Sequence, residues 1–192
     1  MLEESSILES QLQNFKKKFY VSLFLKGLLI TFGISLLCFI VLATSEFFGQ
    51  FNSYIRLSFI IFFILFFSIL FFKFLYNPLL NLLGLAHNLS DESAAKNIGL
   101  YYQTINDKLL NVIQLKSSES PLAVAAYLQK KNLFTAYDFG KAAQINKNKK
   151  YIGFIGIPLL IIIAISYLMP NFFIVFIFII YICFFALISL FI

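Results

Sequence analysis

The chain has 192 residues, 60% hydrophobic and 12% charged, with a formal net charge of +6. A soluble domain is about 45–50% apolar and about 25% charged, so this balance excludes a soluble globular protein and indicates an integral membrane protein. Within 192 residues there is no room for a second large domain beside the membrane part.

The fold expected is all-α: a polytopic helical membrane protein with four spans. Met1 to Gln13 is acidic at Glu3, Glu4 and Glu9. Its Leu8, Leu12 and Phe15 share one helix face, expected to lie at the membrane surface. Residues 1–18 form an N-terminal segment ending in Lys16, Lys17 and Lys18. Residues 19–76 form a hairpin of two spans, about 19–44 and 55–76, joined by a short loop from Glu46 to Arg56. The first apolar run is too long for a cleaved signal peptide. Lys26 lies one to two turns inside it, where a lysine snorkels to the headgroups. Gly33 and Ser35 are small enough for close helix contact, but their spacing is not GxxxG. Asn77-Pro78 is expected to break or kink the second span, since proline lacks the donor and clashes with the previous turn.

Residues 77–150 read as a small helical insert. Ser90 is an N-cap, with Asp91 and Glu92 in the first turn, and Gly99 is a natural stop. Thr104 opens the next helix, with Asp107 three residues on, a variant of the capping box. There Ile105, Leu109, Val112 and Ile113 recur at helical spacing and Leu110 widens the face. Asp107 and Asn111 are four residues apart and within hydrogen-bonding reach. Ser120-Pro121 starts a third helix whose expected buried side is Leu122, Ala126, Leu133, Tyr137 and Gly140. It ends in Lys147, Asn148, Lys149 and Lys150, read as an anchor to anionic lipid.

Residues 151–192 carry no charged side chain. As one helix they would be about 60 Å long, twice the hydrocarbon thickness. Pro170-Asn171 divides them into spans of about 151–169 and 171–192. Between Asn77 and Lys150 there are nine lysines and five acids, whereas the Glu46–Arg56 loop is neutral. The positive-inside rule therefore places the N-terminus and the insert in the cytoplasm.

The residues that could carry chemistry are few. His87 stands alone and reads as a surface histidine. Cys38 and Cys183 lie in apolar runs and read as small hydrophobes. No phosphate loop, GxSxG, HExxH or CxxC is present. No catalytic residue, metal or cofactor is expected, and the scattered lysines do not make a nucleic-acid surface.

One stretch carries a resemblance. Ala94-Ala95, Ile98-Gly99, Ile105, the run Asp107-Lys108-Leu109-Leu110-Asn111, Gln114-Leu115 and Ser120-Pro121-Leu122-Ala123 resemble a bacterial envelope family known as domain of unknown function 4175. The likeness covers about Lys16 to Pro170. It implies an inner-membrane protein with two N-terminal spans, a cytoplasmic helical insert, a third span and a large region outside. In that frame residues 171–192 are either a fourth span or a truncated or frameshifted tail. The resulting expectation is a non-enzymatic anchor that binds protein partners through the insert, with Asp107, Leu109, Leu110 and Asn111 organising it. The alternative is a small transporter or channel subunit, for which the spans offer only Lys26, Ser35, Ser58, Ser68 and Ser166 as polar material.

Overall fold

In a computed structural model, residues 3–85, 89–116, 120–134 and 136–169 are described. His87, Cys183 and the fourth span lie outside them. The described residues are mostly helical, with no strand among them. Among them three helical stretches are long and apolar enough to cross a membrane: Ile7–Gly49, Ser53–Leu82 and Phe139–Leu168. The chain forms two compact units. The first comprises residues 1–25 and 77–148, the second 26–76 and 149–192. Helix α1, Glu3–Gly49, contributes to both.

The first unit is built from the N-terminal part of α1 and the insert. The insert contains α4 (Asp91–Tyr101), α5 (Asn106–Lys116), α6 (Pro121–Lys130) and the short α7 (Phe139–Ala142). Leu8, Leu12 and Phe15 do not face a membrane surface. They lie in one hydrophobic core with Ala94, Ala95, Ile98, Ile105, Leu109, Val112, Ile113, Tyr127, Phe134 and Phe139. The periodicity was legible as an apolar face, but its true cover is protein from residues 94–143.

Three polar ties hold α1 in place. Lys16 Nζ donates to Asp91 Oδ1 at 2.6 Å, with the lysine buried and the carboxylate about one-third exposed. Asp91 also sits in the first turn of α4 behind the Ser90 N-cap, so the helix dipole favours the same charge. The Leu89 amide donates to the Tyr20 hydroxyl at 2.8 Å. Asn148 is turned inward from its basic run and donates to the Ser22 carbonyl at 2.7 Å.

The third insert helix differs from its sequence reading. It is not one helix: a 3-10 turn at Lys131–Phe134 follows α6, and Asp138 then caps α7 by accepting from the Gly140 amide at 2.9 Å. That interruption resets the helical phase. From there on Leu133 is exposed and Tyr137 half-buried, while Phe134 and Phe139 point inward; ahead of it, within α6, Leu122 is already exposed and Ala123 and Tyr127 are the buried side. Gly140 is buried as expected. Likewise α4 passes through Gly99 to Tyr101. Gly99 is buried because the Asn106 side chain and backbone press against it at the corner into α5.

The second unit packs α2 (Ser53–Phe71) antiparallel to α1. Phe32 meets Phe67 and Phe39 meets Phe63, with ring centroids 6.3 and 5.9 Å apart. At the loop end the Arg56 Nε donates to Glu46 Oε1 at 2.7 Å, and Glu46 is buried. The Asn52 side chain caps α2 through the Ile55 amide. Helix α8, Gly153–Leu168, meets α1 at Gly33–Phe154, with Lys26 and Tyr151 beside each other at one end. The two pairs advance in the same sense, so α8 runs parallel to α1.

Proline does not break the second span. A wide π turn at Phe72–Tyr76 precedes Pro78, and the helix continues as α3, Asn77–Leu82. The extra residue of a π turn relieves the clash that proline would cause. Pro78 still has no N–H to offer the Phe74 carbonyl four residues back. In α8, Pro158 leaves the Phe154 carbonyl in the same position. Both carbonyls lie against glycines of α1: Phe74 against Gly27, Phe154 against Gly33. A glycine Cα lets the oxygen approach closely and offers a weak C–H donor. Each proline-freed acceptor is thus covered by a glycine on the central helix.

Candidate interaction surface

Helix α5 displays the motif that the sequence singled out. Leu109 is fully buried against α4 and α1, and Leu110 is half-buried beside the same core. Asp107 and Asn111 are exposed. The motif therefore divides: leucines fix α5 to the unit, while the two polar side chains face outward. No hydrogen bond joins Asp107 to Asn111 among the described residues, so both keep their polar atoms available.

Beside α5, large apolar side chains remain uncovered. Leu100 and Tyr101 end α4, Leu122 opens α6 and Leu133 lies in the following turn, all exposed. Tyr101, Tyr102 and Tyr137 form an edge-on aromatic row, with centroids 4.7 and 5.2 Å apart. The Tyr102 hydroxyl donates to the Asp138 carbonyl at 3.0 Å, tying the end of α4 to the start of α7. These ties could not be read in advance. Tyr20, Tyr102, Asn148 and Asp138 find partners 36 to 126 residues away or bend the chain locally. The only available sign was Asn148, an uncharged residue within a run of lysines.

Burial pushes the Tyr102 phenol up, aided by the charges of Tyr101, Asp138 and Tyr137. A folded-state value above the unfolded one means that the phenol's contribution is intact below the unfolded value. It is lost as the pH rises through the folded value. Thermal midpoints of the full chain should therefore fall as the pH rises above the ordinary phenol value of about 10, and Tyr102→Phe should flatten part of that fall. Identical alkaline slopes for the two proteins would refute this assignment.

Ser58, Ser68 and Ser166 each donate to the carbonyl four residues back in their own helix. Thr31 and Ser35 are buried on one face of α1, with hydroxyls lacking a hydrogen-bond partner among the described residues. No cluster of three metal-ligating side chains occurs among the described residues. No protein-family model, curated protein or solved structure matches this chain.

Proposed function

We propose that this chain is a non-enzymatic anchor and interaction component of a bacterial envelope assembly, seated in the inner membrane with the first unit in the cytoplasm. The observation carrying the proposal is the division of α5. A fully buried Leu109 holds a rigid helix that presents Asp107 and Asn111 outward, beside exposed Leu100 and Tyr101. Interfaces are built from such pairings of fixed polar groups with uncovered apolar and aromatic side chains. The lysine excess of residues 77–150 over the neutral Glu46–Arg56 loop supports the orientation. The resemblance of the Asp107–Asn111 run to the envelope family supports the setting.

The alternative, a small transporter or channel subunit, draws on the buried Thr31 and Ser35 hydroxyls and on Glu46 Oε2, which also lacks a hydrogen-bond partner among the described residues. Such groups line pathways in some membrane proteins.

A photo-crosslinking residue placed at Asp107 or Asn111 in intact cells separates the readings. The interaction reading expects one discrete protein adduct at both sites and none at Lys96, exposed on α4. Equal labelling at all three positions, or none, would refute it. A sulfhydryl reagent that cannot cross the membrane should leave Asn111→Cys unlabelled until the cells are opened.

A further inference from the structure

We propose that the second unit carries a binding site for the phosphate of an anionic phospholipid headgroup, formed by Lys26, Lys150 and Tyr151 with Lys73 beside it. The ammonium of Lys26 lies 5.3 Å from the centre of the Tyr151 ring, and that of Lys150 lies 5.0 Å from the same centre. Two cations far apart in the sequence therefore share one aromatic ring. They are separated by no more than about 10 Å, near one screening length at physiological salt. Among the described residues neither ammonium is ion-paired, unlike Lys16 with Asp91 and Arg56 with Glu46. A third lysine belongs to the same level. Gly27 touches Phe74, and Lys26 and Lys73 each flank that contact by one residue, Lys73 being exposed.

All three long apolar helices thus bring a lysine to one end of the unit, whereas the Glu46–Arg56 end is neutral. A lysine ammonium is a compact point charge with three donors, suited to phosphate oxygens. Tyrosine rings sit at the headgroup level of a bilayer, apolar below and polar above. The cation–aromatic contacts hold both lysines facing one place even before an anion arrives. A phosphodiester there removes the repulsion between them, and its acyl chains continue down the exposed flanks of α2 and α8. This site rests on the apolar helices lying in a bilayer, and not on a protein partner for the first unit.

The full chain purified in neutral detergent tests it by native mass spectrometry, with phosphatidylglycerol and phosphatidylcholine offered in turn. One phosphatidylglycerol should bind in preference. Lys26→Gln and Lys150→Gln should each weaken it about fivefold, while Lys26→Arg retains it. Lys96→Gln, the same charge change on α4, should have no effect. Equal weakening by Lys96→Gln would reduce the effect to overall charge and overturn the site. Complete displacement by inorganic phosphate at millimolar concentration would assign it to a free anion instead, overturning the lipid. Should Lys26→Gln disturb folding, exposed Lys150 carries the test alone. A chain that reconstitutes into vesicles but shows no lipid preference refutes only the site. One that fails to enter vesicles refutes the membrane reading beneath it.

Discussion

A Gly33→Leu chain is expected to lose the packing of α8 on α1 while keeping its helix content. A Cβ at position 33 would run into the Phe154 carbonyl and come within 2.7 Å of the Phe154 Cβ. The obstacle is mostly backbone, which cannot rotate away as a flexible side chain would. Overpacking a tight contact typically costs about 1–3 kcal/mol. Here the cost is higher, because the displaced Phe154 carbonyl has also lost its helical donor to Pro158. In hydrocarbon an unsatisfied backbone carbonyl adds several kcal/mol. Gly33→Ala should show a smaller form of the same defect, and Gly27→Leu should loosen α1 from the π turn at Phe74. Gly156→Leu is the control, since nothing lies within 4 Å of a Cβ built there. Thermal midpoints in detergent, with far-ultraviolet circular dichroism for helix content, read the result. Equal midpoints for Gly33→Leu and Gly156→Leu would remove the proline–glycine pairing from the account.

The second large effect concerns the other unit. Phe15→Ala should destabilise it by about 3–5 kcal/mol, the usual cost of emptying a buried phenylalanine site. Phe15→Asp should abolish its fold, because a carboxylate cannot be hydrated at a fully buried position. Phe15 touches Phe19 within α1, at 5.7 Å between ring centres, and belongs to the core shared with α4, α5 and α7. The consequence is non-local: cleavage by protease should appear within residues 91–148, far along the chain from the substitution. Asn14→Asp, an exposed neighbour, should leave the digestion pattern unchanged. Persistent protection of residues 91–148 in Phe15→Asp would mean that the insert folds without α1.

These two effects mark where the sequence was readable. Periodicity identified the apolar faces of α4 and α5, and chemistry at the termini identified the Ser90 cap. Both signals are local: they depend on residues within a turn or two of one another. The length and apolar character of the three long helices were legible for the same reason. What lay beyond reach was the cover for each face. Nothing near Leu8, Leu12 and Phe15 indicates that residues 94–143 complete their core. Nothing near Gly33 indicates a carbonyl freed by Pro158. Helical spacing also failed beyond Lys130, because it presumes an unbroken helix and Asp138 caps a new one. At the candidate surface, burial of Leu109 followed from spacing. The outward direction of Asp107 and Asn111 required the packing of α5 itself.

The sharing of one core by residues near the start and residues beyond position 130 has a consequence for biosynthesis. Phe15 leaves the ribosome about 120 residues before Phe139, which at roughly 5–20 residues per second is a wait of about 6–25 s. Until α4 and the elements after it are made, Leu8, Leu12 and Phe15 form an uncovered amphipathic face, next to lysines 16 to 18. Anionic lipid at the membrane surface suits such a face. Once α4 to α7 are made, they cover that face.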